Sequence, residues 1–135
     1  MRVVDASVWV SRLVPQDAHH ATSRRWLETH ADLLIAPILL LAEVAGAISR
    51  RAGVPELGWQ AVESLTQLPN LRLVPLDPHL GLETARLAAV LQLRGADAAY
   101  VAVAHHLRIP LITWDREQAE RAGQLIAVYT PDLDV

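Results

Sequence analysis

Val3-Val4-Asp5-Ala6-Ser7 is the stretch that decides the fold. Two β-branched residues end a short buried strand, an acid stands directly after them, and a helix opens from about Ser7. Asp5 is therefore expected at or just beyond the carboxyl end of the first strand. The same order returns at Leu111-Ile112-Thr113-Trp114-Asp115, where a strand over about 109–113 gives way to an acid that opens a short helix over about 115–122. Two strands that each hand over to a helix through an acid predict a sheet whose ligand edge lies at the strands' carboxyl ends.

Outward from these two points, the chain keeps alternating. Helical spacing carries Trp26 and Leu27 over about 19–30, and a short strand follows at 33–36. Pro37 is expected in the first turn of a helix that runs to Arg51 and is closed by Gly53 and Pro55. A helix over about 56–68 stops before Pro69, and Leu71 to Leu76 supplies an alternating strand. Two helices, about 79–93 and 97–107, and a last strand at 125–129 complete the pattern. Strands separated by helices imply parallel pairing with both faces covered, an α/β class with four or five strands.

Composition sets the limits. The 135 residues are 52% hydrophobic and 20% charged, enough for one core and one domain over 1–135. The apolar stretches are too short and interrupted to span a bilayer, and Asp5 breaks the run that a signal peptide needs, so no membrane and a cytoplasmic location are expected. With no cysteine, disulfides, thiolate nucleophiles and sulfur-ligated zinc are excluded. All 12 basic residues are Arg, so Schiff-base lysines and the Lys of a P-loop are excluded too. The net charge of −3 gives no global attraction to nucleic acid.

Four acids stand out. Asp5 and Asp115 each have an ordinary reading as helix caps, with Ser7 sharing the first task and Gln118 reciprocating the second. Glu43 is the only charge from Leu33 through Ser49, on a helix apolar on nearly every side; it is expected to be paired, with an Arg such as Arg50, protonated or bound to a metal. Asp97 is the only charge between Arg94 and His105, in a helix that reads as buried all round, where the helix dipole alone would favour an acid in the first turn. Together, four carboxylates at two strand ends and in two apolar helices fit around a hard divalent cation with oxygen ligands, Mg2+ or Mn2+. Such an ion activates water and stabilises charge on a phosphodiester, so hydrolysis of a phosphate ester is the chemistry suggested.

Val-Val-Asp-Ala-Ser at 3–7, Leu-Ala-Glu-Val at 41–44, Gly-Ala-Asp-Ala-Ala-Tyr-Val-Ala-Val-Ala at 95–104 and Pro-Leu-Ile-Thr-Trp-Asp at 110–115 resemble the PIN-domain family, and more narrowly its VapC-like toxins. The resemblance spans nearly the whole chain in order. It implies a three-layer α/β/α sandwich with a central parallel sheet and a Mg2+- or Mn2+-dependent endoribonuclease, the toxin of a toxin-antitoxin pair. By motif, Asp5, Glu43, Asp97 and Asp115 match the family's acidic quartet, Ser7 a small hydroxyl residue and Thr113 the hydroxyl of a Thr-x-Asp segment. Asp5 and Asp97 are implied as direct metal ligands, with Glu43 and Asp115 binding a second ion or positioning water. Tyr100 stands where some relatives carry another polar or acidic residue. An RNA substrate, a cognate antitoxin and a homodimer are implied as partners.

Arg24, Arg25, Arg50, Arg51, Arg94, Arg108 and Arg116 could form a phosphate-gripping rim, of which Arg94 and Arg116 lie within three residues of a site acid. Trp114, next to Asp115, is the candidate for stacking on an RNA base. Trp9, Trp26 and Trp59 read as core or subunit contacts, His19-His20 as surface and His105-His106 as a helix end. Two other functions compete. An Asp-dependent phosphoryl-transfer enzyme would ordinarily recruit a Lys, which this chain lacks. A catalytically silent PIN-like module that binds RNA or protein would have no need of all four acids.

Overall fold

The computed structural model describes residues 1–134; Val135, the end of the expected single domain, lies outside the described residues. Five strands, β1 (Arg2–Val4), β2 (Leu34–Pro37), β3 (Leu71–Val74), β4 (Leu111–Ile112) and β5 (Val128–Tyr129), form one sheet in the order β3-β2-β1-β4-β5. Every neighbouring pair is parallel. The crossovers run through α1 (Ala6–Leu13) and α2 (His20–Thr29), α3 (Leu39–Ala52) and α4 (Pro55–Thr66), α5 (Pro78–Leu91) and α6 (Gly95–Leu107), and α7 (Arg116–Ala122). Right-handed crossovers place α1 to α4 on one face and α5 to α7 on the other, giving the expected three layers.

This order makes β1 and β4 neighbours, with Val3 beside Leu111 and Val4 beside Ile112. The chain moves outward from β1 to β2 and β3, then returns to the other side of β1. The order therefore reverses between β1 and β4, and the crevice that open α/β sheets use for ligands falls at their carboxyl ends.

The central layer is apolar, with Val3, Val4, Leu34, Ile35, Ala36, Leu111 and Ile112 buried between the helices. Helix α6 is the innermost: Ala98 through Ala104 are all buried, as a helix apolar on every side requires. Gly58 lets α4 lie directly against α3, since a Cβ there would stand 2.5 Å from the Ala45 carbonyl oxygen. Among the described residues no single helix is long and apolar enough to cross a membrane.

Several boundaries differ from the sequence reading. Pro37 closes β2 and stands beside Val74, rather than sitting in the first turn of α3. Donors on the β3 side alternate, Leu34 to Asn70 O and Ile38 to Val74 O. The N–H that Pro37 lacks would have faced β1 beyond its end at Val4, where no ladder bond is lost. Strands β4 and β5 are two residues each, and α5 ends at Leu91 because Gln92 takes a left-handed conformation at φ 55°. Helix α3 is less covered than its composition suggests: only Leu40 and Val44 are fully buried along it, while Ala42 and Arg50 are exposed. Trp9 and Trp26 are buried, but Trp59 is 63% exposed.

Candidate functional site

Asp5 follows β1 directly and caps α1. Its Oδ2 accepts from the Ser7 N–H at 3.0 Å and from the Thr113 hydroxyl at 3.3 Å. The cap and the site position are thus the same side chain, which is 5% exposed. The second oxygen, Oδ1, accepts from the Gln118 amide at 3.4 Å. Every donor on Asp5 is neutral.

Thr113, fully buried at the end of β4, organises the other half. Its Oγ1 accepts from the Asp115 N–H at 3.0 Å and lies 3.3 Å from Ser7 Oγ, which itself accepts from the Trp114 N–H at 3.0 Å. Thr113 has one proton, committed to Asp5, so Ser7 donates to Thr113. The two hydroxyls therefore form a directed chain that ties the ends of β1 and β4 together and fixes the Asp5 carboxylate. Asp115 caps α7, accepting from the Gln118 N–H at 3.0 Å.

Gln118 does not return the cap. Its side chain, 1% exposed, turns inward, and Nε2 donates both to Asp5 Oδ1 and, at 3.2 Å, to the Asp97 carbonyl oxygen. That role was missed in the sequence. The available signal was the spacing of Gln118 and Ala122, four residues apart and both buried on a one-sided helix. Asp97, in the first turn of α6, is held by Arg94 at 2.9 Å, and the same guanidinium reaches Asp115 at 3.5 Å. Arg94 itself is 80% exposed.

Glu43 is partnered by Tyr100, whose hydroxyl donates to it at 2.6 Å. Arg50 does not take that place; its guanidinium lies against Gly46. The fully buried Tyr100 reaches from α6 to α3 and fixes Glu43 on the side of Asp5 and Asp97.

The electrostatics follow from this packing. Burial raises the Asp5 carboxyl above its ordinary value and the charge of Asp97 adds to that, while hydrogen bonds from Ser7 and Gln118 pull the other way. Burial likewise raises Glu43; the Tyr100 bond opposes this, and Asp5 and Asp97 reinforce it. The Tyr100 hydroxyl is raised by its own burial and by Glu43, so it stays protonated and donates. Among the described residues no three carboxylate or imidazole groups stand close enough together to enclose an ion as they are. The donor chemistry nevertheless fits a hard cation: all-oxygen, mutually repelling, and in Asp5 buried without a positive partner.

The remaining sequence candidates separate. Arg116 is exposed on α7, near Asp115. Arg24 and Arg51 are engaged away from the site, with Glu28 at 2.8 Å and Asp17 at 3.7 Å. The Trp114 ring, expected to be free for a base, is engaged within the protein. His19 stacks on it with centroids 3.8 Å apart at 8°, and the Trp114 Nε1–H donates to Ser23 Oγ at 2.8 Å. His19 is exposed, as expected of a surface residue, while it stacks on the Trp114 ring.

The model of the PIN domain family matches residues 2–124. The ribonuclease VapC12 of Mycobacterium tuberculosis is 37% identical over 132 residues, covering 91% of this chain and 93% of that protein. Among solved structures, VapC20 of Mycobacterium tuberculosis, described as a sarcin-ricin loop cleaving toxin, superposes with a TM-score of 0.78 at 19% identity, covering 89% of this chain and 94% of that one. FitAcB from Neisseria gonorrhoeae gives 0.75 at 21% identity, covering 98% and 99%. A toxin-antitoxin complex from Klebsiella pneumoniae gives 0.71 at 14% identity, covering 97% and 98%.

Proposed function

The chain belongs to the PIN domain family, and from that premise we propose that it is an endoribonuclease dependent on a divalent metal ion, Mg2+ or Mn2+, acting as the toxin of a toxin-antitoxin pair. The observation that carries this reading is Asp5: a buried carboxylate at the switch point of a parallel sheet, supplied with neutral donors only, beside Asp97 and Glu43. The ribonuclease name of the 37% identical relative supports the substrate class.

In this reading Asp5 and Asp97 hold the ion, with Glu43 and Asp115 completing the acidic set. The chemistry supplied when the ion is bound is activation of water for in-line attack on a phosphodiester and stabilisation of the charge that develops there. The chain's own residues do the rest. Ser7 and Thr113 lock the Asp5 carboxylate in one orientation, and Tyr100 does the same for Glu43. Arg94 and Arg116, exposed beside the acids, are assigned to the RNA backbone, where a guanidinium fork matches phosphate oxygens. Trp114 is assigned to holding the β4–α7 connection through His19 and Ser23. A cognate antitoxin and a second copy of the chain are the partners this reading implies; exposed Trp59 and Leu82, 63% and 75% accessible, are apolar surface available to such contacts.

The test is cleavage of total bacterial RNA with mapping of the new ends, comparing Mn2+, EDTA and an Asp97→Asn protein prepared identically. Discrete ends that need both the metal and Asp97 are expected. Ends that persist in Asp97→Asn would assign the cleavage to a contaminant, and no cleavage by folded, Mn2+-loaded protein would favour the silent RNA- or protein-binding module.

A further inference from the structure

Gln118 is a neutral side chain that touches two of the acidic positions at once, Asp5 and Asp97, as Thr113 does for Asp5 and Asp115. Its single amide nitrogen spans the end of β1, through Asp5 Oδ1, and the first turn of α6, through the Asp97 carbonyl. Asp5 Oδ2 already accepts two bonds, so Oδ1 is the oxygen with a lone pair to spare, and Gln118 is the donor that holds Oδ1 while Ser7 and Thr113 hold Oδ2.

The arrangement is costly for stability. Gln118 Oε1 is buried and has no partner among the described residues. A buried acceptor left unmade ordinarily disfavours the fold, and an apolar side chain of the same length would remove that defect at the expense of the donor to Asp5 Oδ1. A glutamine kept only for packing would gain nothing from it. A local rule broken beside a charged cluster points to a role in that cluster.

We propose that Gln118 is a positioning residue of the metal site, fixing Asp5 Oδ1 against the first turn of α6 in the orientation that binds the divalent ion. This rests on the metal-dependent reading given above, and the test separates the two. Mn2+ binding to metal-free protein is measured by titration calorimetry without RNA, alongside thermal unfolding, for the native chain, Gln118→Met and Gln118→Asn. The first variant keeps the length and removes both polar atoms; the second keeps the amide but is one methylene too short to span Asp5 and Asp97.

The native chain is expected to bind Mn2+. Gln118→Met exchanges one unmade bond for another, the Oε1 acceptor for an Asp5 Oδ1 left without its donor, so it is expected to unfold close to the native temperature, yet to bind Mn2+ roughly tenfold more weakly or worse, the usual size of an outer-shell loss. Gln118→Asn should show the same weakening. A residue that merely supported the fold would move both readouts down together. Native-like Mn2+ affinity in either folded variant overturns the proposal while leaving the metal site standing. A native chain that binds no Mn2+ overturns the metal reading itself, and this proposal with it.

Discussion

Strand β1 has acids at both ends, and the protein treats them in opposite ways. At its amino end, Arg2 reaches Asp32 at 3.1 Å and Asp134 at 3.3 Å, the N-terminal ammonium adds a 2.9 Å contact to Asp32, and Trp26 Nε1 donates to Asp134 at 3.1 Å. The ammonium beside Asp32 holds its carboxyl below the ordinary value. At the carboxyl end, three residues away, Asp5 is buried more deeply and receives no cation; its carboxyl is held above the ordinary value instead. The same residue type is thus stabilised as an anion beside one end of the strand, by Asp32 and Asp134 from other segments, and left without a cation just past the other, at Asp5. Architecture explains the first arrangement. It explains the second only in part, since Asp5 caps α1 through Ser7 yet has no cation beside it; in the function proposed above a divalent ion supplies that charge.

The sharpest way to break this contrast is Asp5→Asn. Cleavage and Mn2+ binding are expected to fall to the level seen with EDTA, the largest effect foreseen here. The metal-free protein should nevertheless gain stability at neutral pH, by roughly a few degrees in its unfolding midpoint. The sign follows from linkage: a carboxyl raised in the fold stabilises it while protonated, and that contribution is lost as pH rises through the raised value. The gain in Asp5→Asn should therefore shrink toward zero as pH falls into the ordinary carboxylate range, where native Asp5 is itself neutral. Gln118 can accommodate the change, since its amide can turn over and offer the unpartnered Oε1 to the new N–H. Thermal melts of both proteins in EDTA across pH check this, and a loss of several degrees at neutral pH would make Asp5 an anchor like Asp134.

The opposite corner should give the opposite result. Asp134→Ala removes the partner of Arg2 and of the Trp26 N–H, both largely sheltered. A loss of about 1–3 kcal/mol is expected from the groups left unpaired. Cleavage per folded molecule should be unchanged. Urea unfolding measures the first and active-site-normalised cleavage the second. A folded variant with lost activity would mean that the two ends of β1 are coupled.

How far each arrangement was legible in the sequence depends on what kind of information it carries. The layered parallel fold was legible because it is encoded locally, in strand-acid-helix junctions at Asp5 and Asp115 and in the all-apolar 98–104 segment. Glu43 stood out because a lone charge among apolar residues is a local anomaly. Its partner did not, because Tyr100 lies 57 residues away and reaches it only through the packing of α6 across the sheet. Gln118 was readable as a cap from its spacing to Asp115, and that spacing was misleading: the backbone takes the cap while the side chain serves Asp5, 113 residues earlier. Pro37 was assigned to a helix because proline tolerates both a first turn and a strand end, and only the register against β3 decides between them. Trp114 looked free because nothing nearby in sequence covers it; His19, from the loop before α2, does.

The finest adjustment concerns Arg94, the cation that ion-pairs with the acids among the described residues. It lies on Asp97 at 2.9 Å and Asp115 at 3.5 Å, but from solvent and at 80% exposure, so water and salt weaken its hold. A guanidinium and a divalent ion want the same oxygens, and only one of them can be close to Asp97. Arg94→Gln is therefore expected to raise Mn2+ affinity several-fold at low salt, with the gain fading as ionic strength rises, while the unfolding midpoint hardly moves. The RNA side should respond the other way: weaker substrate binding and a shallower salt dependence if the same arginine grips a phosphate. Calorimetric Mn2+ titrations and RNA-binding curves at two salt concentrations separate the two roles. An Mn2+ affinity unchanged by Arg94→Gln would show that the guanidinium leaves Asp97 at no cost. The carboxyl end of β1 would then be as bare of positive charge in practice as Asp5 already is.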